Sequence, residues 1–403
     1  MNIFKYIGQW FRGLFEVWKR ETYLVFTDVG VLIFFFALPL AYPIVYTLIY
    51  NTELVRKIDV VVVDDSRTAE SREFVRTVSA TPAFNVVGYA SNMAEARSAM
   101  AEHEAFGVIQ LPADFDRRIG RGEQAMVNFY ADVSLLLRYR SELQSLTDVQ
   151  LAYGAKIQAR EFAEGGLLTQ NFADQGSPVE NVANFLGDTT QGFASFVIPG
   201  IIILILHQSL ILGVTMLAGG AAERRRRHGG YDPMMVVAPP TATIAGKVTC
   251  YIMCYIPMMF YIMYFIPRMF SLPDHADVFE AMMLITPMLI GASLLGICLG
   301  TLVKERESSL LVVVFTSVVF LFLSGLTWPR FAMSPFWSAV GDLIPATWGV
   351  EGFIRMNSNG ATLADEAPCY EALWLLIAFY FVLAYMIVRY QRARQRLHLE
   401  PVS

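Results

Sequence analysis

Six runs of about twenty residues carry almost no charge: near 29 to 50, 194 to 218, 244 to 267, 281 to 303, 308 to 327 and 371 to 388. Each has the length a helix needs to cross about 30 Å of hydrocarbon, and a backbone in lipid must satisfy its polar groups internally. The expected fold is therefore an α-helical polytopic membrane protein with six transmembrane helices. Composition agrees. Of the 403 residues 55% are hydrophobic and 17% charged, whereas an ordinary soluble domain is about 25% charged. The first run has an apolar core too long for a cleavable signal and follows a charged segment, residues 1 to 28, so it reads as a signal anchor.

Short loops that stay in the cytoplasm retain Lys and Arg. One set of segments holds Lys5, Arg12, Lys19, Arg20, Arg224, Arg225, Arg226, Arg227, Lys247, Lys304, Arg306, Arg389, Arg392, Arg394 and Arg396; the loops near 268 to 280 and 328 to 370 hold only Arg268, Arg330 and Arg355. Fifteen against three places both termini and the arginine cluster in the cytoplasm and the long segment from about 51 to 193 outside. Cysteine adds no framework: Cys250, Cys254 and Cys298 fall in apolar runs as small buried hydrophobes, and Cys369 stands alone.

Between the first two runs the hydrophobic period changes. "IDVVVVDD" (58 to 65), "FNVVGYA" (84 to 90), "FGVIQL" (106 to 111) and "AMVNFYAD" (125 to 132) read as strands. Helical segments between them open at Thr68 and at Ser91 or Asn92. This alternation predicts an inserted α/β domain. A long helical pattern follows from Ser134 to about Glu164, and Gly165, Gly166, Gly176 and Pro178 break it. Asp64 and Asp65 end a strand, where acidic residues more often cap a following helix than bind metal.

Phe4, Ile7, Phe11, Leu14, Phe15 and Trp18 recur at helical spacing among Lys5, Gln9, Arg12, Glu16 and Lys19. They predict an amphipathic helix in the cytoplasmic interface with its aromatic face in lipid. Two readings stay open, an anchor only or a mechanical lever. His207, followed by Gln208, is the one titratable residue near the centre of a run; a lone intramembrane His is more often an interhelical hydrogen-bonding group than a proton path. Pro257 and Pro267 predict kinks. The stretch 334 to 350 is too interrupted to span and predicts short helices in the outer leaflet, with Trp337 and Trp348 at the interface. Glu351 and Arg355 have the spacing to pair on one face.

Three stretches together resemble permeases of the type-2 class of ATP-binding-cassette exporters, in the subclass with a large extracytoplasmic domain between the first and second transmembrane helices. "VVVDDSRTAESREFVRTVSATPAFNVVGYA" is similar to the opening of that subclass's outer domain. "ERRRRHGGYDPMMVVAPPTATIAGKV" is similar to its cytoplasmic loop, in which a charged run leads to Gly-Thr, an apolar helix, Pro, and Gly-Lys at the next span. "SGLTWPRFAMSPFWSAVGDLIPATWGVEGFIRM" is similar to the pattern of Ser-Gly, aromatic-Pro, Met-x-Pro, Pro-x-Thr and Gly-x-x-Arg. The resemblance covers nearly the whole chain. It implies an ATPase-coupling loop carrying Glu223, Gly229, Pro239, Gly246 and Lys247 along with the four arginines, and an outer short-helix motif of Ser324, Gly325, Pro329, Met333, Pro335, Pro345, Thr347, Gly352 and Arg355. One position departs from the family: Gly230 stands where Thr is usual.

On this reading residues 1–28 form the interface helix, 29–50 the first transmembrane helix, 51–193 the extracytoplasmic α/β domain with its long helix, and 391–403 a cytoplasmic tail. Residues 194–390 hold transmembrane helices two to six, with the coupling loop at 219–243 and the outer short helices at 330–356. A phosphate loop needs Gly-x4-Gly-Lys-Ser/Thr; here Thr241 precedes Gly246-Lys247 and Val248 follows, so no nucleotide site is expected and the chain is expected to be non-catalytic and to bind no cofactor. The resemblance implies ATP and Mg on a separate cytoplasmic ABC ATPase, a homodimer or a heterodimer with a homologous permease, room for a periplasmic adaptor, no nucleic-acid partner, and a place in the bacterial inner membrane. The cargo would be a drug, lipid or glycan. A different class of reading is an extracytoplasmic receptor or assembly scaffold that the spans only anchor.

Overall fold

The computed structural model describes residues 3–50, 56–164 and 192–397. The helix-breaking positions Gly165, Gly166, Gly176 and Pro178, and the end of the tail, lie outside the described residues. The chain divides into two compact units, Met1–Glu53 with Phe185–Ser403, and Leu54–Asn184.

In the first unit, helix α1 (Ile3–Thr27) stops at Asp28, whose carboxylate accepts the amides of Gly30 and Val31 and so opens α2 (Val29–Ile49). The rest are helices too. Within this unit they are α7 (Phe193–Arg227), α8 (Pro240–Phe270), α9 (Val278–Leu299), α10 (Ser308–Leu323), α11 (Pro335–Asp342), α12 (Pro345–Asn359) and α13 (Ala367–Leu397), numbered after the four helices of the second unit. α7 is the central element and packs against α2, α9, α10 and α12.

Five of these helices, α2, α7, α8, α9 and α13, are long and apolar enough to cross a membrane. The sixth expected run forms α10, a shorter apolar helix of 16 residues, which at 1.5 Å per residue reaches roughly 24 Å. Leu311, Val314, Phe315, Val318 and Phe322 leave much of its surface exposed and apolar.

The kinks take a specific form. A π-turn, Tyr261–Phe265, sits between Pro257 and Pro267, and a second, Ile33–Ala37, precedes Pro39. Proline removes an amide donor, and one wide turn absorbs the disturbance without breaking the helix.

The second unit is a four-stranded sheet in the order β2-β1-β3-β4, from β1 (Ile58–Asp64), β2 (Phe84–Tyr89), β3 (Gly107–Leu111) and β4 (Asn128–Ala131). β1 pairs in parallel with β2 and β3, and β4 returns antiparallel to β3. Valines on both faces of β1 are buried, as a strand covered on two sides requires. One face packs Val60, Val62 and Ile109 against α3 (Ala69–Ser79), α5 (Phe115–Ile119) and α6 (Leu136–Glu164); the other packs Val61, Val63 and Val108 against α4 (Met93–Ala101). Thr68 and Asn92 cap α3 and α4. Asp64 accepts from the Arg67 amide at 2.9 Å and from Ser71 at 2.7 Å, fastening the start of α3. α6 is held to α3 by Tyr153, which donates to Glu70 at 2.8 Å, and by the Arg160–Glu70 pair at 2.6 Å.

Candidate functional site

α7 continues past its apolar stretch and ends in four arginines that do four different things. Arg224 folds the chain back by donating Nε and Nη2 to the buried Asp232 at 3.0 and 3.3 Å, and Asp232 also accepts the Met234 amide at 3.0 Å. Arg226 pairs with Glu305 at 2.8 Å, Arg225 is half-buried and Arg227 is exposed. After the helix, Gly229 and Gly230 take φ of +66° and +102°, which lets the Gly230 amide donate to the Arg225 carbonyl at 2.7 Å. A threonine at 230 would be strained there. That conformation gives the departure from the family pattern a physical reason.

The apolar helix implied for the loop is absent. Residues 231 to 239 form a turn at Pro233–Met234 and then irregular chain up to Pro239 and Pro240, which open α8. Pro233, Pro239 and Pro240 have no amide to donate, Val236 and Val237 are β-branched, and Asp232 is already committed to Arg224; each disfavours a helix.

Glu223 faces inward. It accepts the Arg306 amide at 2.8 Å, and the Arg306 guanidinium reaches Asp28 at 2.7 Å, so the end of α7, the turn that leads into α10 and the start of α2 share one polar junction. A second junction centres on Glu21, which is completely buried. Lys247 reaches it at 3.0 Å, Arg20 pairs with it, and the Tyr251 hydroxyl donates to its other oxygen at 2.8 Å. Burial by itself would raise the Glu21 carboxyl; Lys247 and Arg20 outweigh it and hold the group down to about 2, so it is ionised at any physiological pH. Arg20 also donates to the Met234 carbonyl at 3.1 Å. Gly246 backs onto the Leu14 carbonyl and Val17, and Trp10 donates to Thr241 at 3.0 Å. Helix α1, the loop and α8 are thereby joined through both polar and apolar contacts.

α1 has two faces, where a single apolar face had been expected. Phe4, Ile7, Phe11 and Phe15 are exposed, but Leu14 and Trp18 are half-buried, and Gly13, Val17, Glu21 and Leu24 form a buried stripe. The spacing of that stripe, together with a lysine at 247 inside an apolar run that needs a counter-charge, is the signal by which Glu21 was findable.

The short-helix motif at 324–355 also closes on a charged cluster. Ser324 is buried and ends α10 with its hydroxyl donating to the Leu321 carbonyl at 2.8 Å; Gly325 follows at φ +87°. Pro329 precedes a short 3-10 turn, Met333 is half-buried, and Pro335 and Pro345 begin α11 and α12. Thr347 and Gly352 are buried, the latter against Leu284 of α9. Glu351 bridges Arg355 at 2.5 Å and Arg330 at 2.7 Å, while Arg355 reaches Glu366 at 3.3 Å and Arg330 also pairs with Asp342. Arg330, Asp342 and Glu366 are unforeseen members. Trp337 is exposed, but Trp348 is covered: Arg330 lies 4.5 Å over its ring and its indole donates to the Asp342 carbonyl at 3.0 Å.

His207, expected as an interhelical hydrogen-bonding group, is buried. Neither ring nitrogen has a hydrogen-bond partner among the described residues, and the ring packs edge-on to Phe320 at 5.6 Å. The side-chain amide of Gln208 is likewise without a partner among them, whereas Ser209 bonds the Tyr255 hydroxyl at 2.9 Å. The hydrogen bond of this segment to α8 is made two residues on from the histidine, at Ser209.

No individual curated protein matches the chain. A family model described as "ABC-2 family transporter protein" matches residues 29–386, from the first residue of α2 into α13. With nine-tenths of a multi-pass helical chain inside that match, the protein belongs to the ABC-2 family of membrane transporters.

Proposed function

We propose that this protein is the membrane-spanning permease subunit of an ATP-driven exporter, moving a hydrophobic or amphipathic cargo (drug, lipid or glycan-like) outward. Family membership carries with it an ABC-type permease that associates with an ABC ATPase; direction, cargo and the receiving surface are our own reading. ATP is hydrolysed on the partner, and two permease chains, identical or homologous, complete the pathway. Both termini and the 223–247 region face the cytoplasm, and the α/β unit faces outward. With both ends inside, the number of crossings must be even, so α10 and the turn that follows serve as a sixth.

The observation that carries this reading is the pair of polar junctions around Glu223 and Glu21. A partner's closure must be passed to the spans through a stiff element joined directly to them. The loop has that property: Arg224, Asp232 and Met234 tie it to α7 and α1, and Lys247 ties α8 to α1.

The test grafts a flexible Gly-Ser segment over residues 228–233 and purifies the protein from its native membrane. The intact protein should bring down an ATPase. The grafted protein, inserted in the same orientation, should lose that ATPase or retain one whose hydrolysis no longer responds to the permease. If the intact protein brings down none, or the graft behaves like the wild type, the arginines only orient the chain and the receptor or scaffold reading stands.

A further inference from the structure

A cleft of about 1060 Å³ opens between the end of α7, the turn at 301–304 and the last turns of α13. Its two walls differ in kind. One presents Arg225, Arg226 and Lys304; the other presents Met386, Ile387 and Tyr390. Arg226 is committed to Glu305, but Arg225 and Lys304 have no carboxylate partner among the described residues. Gly229 and Gly230 also line the cleft, and having no side chains they keep that edge open. Met386 and Tyr390 are exposed at the end of an apolar span, the level at which a tyrosine sits between hydrocarbon and headgroups.

We propose that this cleft binds the headgroup of an anionic phospholipid of the cytoplasmic leaflet, with Arg225 and Lys304 holding the phosphate and an acyl chain lying along Met386 and Ile387. A soluble phosphate would use only the cationic wall, and a zwitterionic lipid would bring no net charge to the two cations. An anionic lipid matches both walls. The placement in the inner leaflet rests on the cytoplasmic reading of the loop. Lipid binding is measured without any ATPase, so loss of one result leaves the other readable.

The experiment titrates the purified full-length chain in detergent with dioctanoyl phosphatidylglycerol, dioctanoyl phosphatidylcholine and glycerol phosphate, following tryptophan fluorescence on heating. Phosphatidylglycerol should bind and stabilise the protein, and the other two should compete only weakly. R225Q/K304Q should weaken phosphatidylglycerol binding about thirtyfold, each cation contributing about fivefold. R72Q/R97Q, which removes the same charge from the α/β unit, should not change it. K304Q alone, at an exposed position, keeps the test sound if the double variant folds poorly, and should cost about fivefold.

Equal binding of the choline lipid would mean an unspecific annular position and overturn the proposal. Equal competition by glycerol phosphate would make it a soluble-anion site and overturn it too. So would unchanged affinity in the variants.

Discussion

Glu142 lies on α6 with its side chain fully buried and both carboxylate oxygens without a hydrogen-bond partner among the described residues. Arg138, one turn earlier, is spent on Asp132 and lies 4.1 Å over the Phe106 ring. Burial therefore dominates and raises the Glu142 carboxyl to about 7, Arg138 opposing and Asp132 adding to it. A group whose folded pKa is raised binds its proton more tightly in the folded state, so stability falls as pH rises from the unfolded value, about 4.5, through about 7. Hydrogen exchange of β3 and α6 in the full chain should show protection that declines over that window by up to about 3 kcal/mol, and E142Q should flatten the decline. Protection independent of pH in the wild type would show that Glu142 has found a partner. Nothing in the sequence marked this residue, because a glutamate on a long helix with a polar face looks like any solvated one. Arg330 escaped for a related reason: it is recognised only by what other segments bring to it, Asp342, Glu351 and Trp348.

At the scale of elements, α2 and α7 meet tightly at Gly213. The π-turn Ile33–Ala37 turns Phe35 into the bundle, where its ring meets Tyr251 and Tyr255 edge-on at 5.8 and 5.3 Å and occupies the space beside Gly213. A Cβ at 213 would fall 1.8 Å from that ring. G213A should therefore lower thermal stability in detergent by about 1–3 kcal/mol, as overpacking does, and F35L should recover part of the loss. An unchanged midpoint in G213A would mean that the ring leaves the bundle freely. The strands were legible because alternating Val, Phe and Tyr runs bounded by turns have few alternatives: "IDVVVVDD" became Ile58–Asp64 and "FNVVGYA" became Phe84–Tyr89. The helices capped by Thr68 and Asn92 were legible for the same local reason. Phe115–Ile119 was not, since five residues carry too little periodicity. The loop at 231–239 was hidden as well, because family pattern argues for a helix there while Pro233 and the Arg224–Asp232 pair argue locally against it.

For the whole molecule, the sequence carries its information in length and charge. Five helices have the span and apolarity to cross a bilayer, and α10 shows the limit of reading runs alone: the apolar stretch to 327 includes a buried turn, Ser324–Leu326, that shortens the helix itself to Leu323. Orientation and partner rest on the cationic asymmetry, on family membership and on the two junctions that fasten the 223–247 region to its neighbours. The most direct test places a photocrosslinking residue at His228, which is exposed at the end of α7, and another at Asn128, exposed on β4, and illuminates native membranes. An adduct between an ABC ATPase and the His228 variant, with none from the Asn128 variant, is the result expected of a permease whose cytoplasmic loop receives the ATPase. An ATPase adduct from Asn128, or none from His228 in membranes that contain the ATPase, would contradict it.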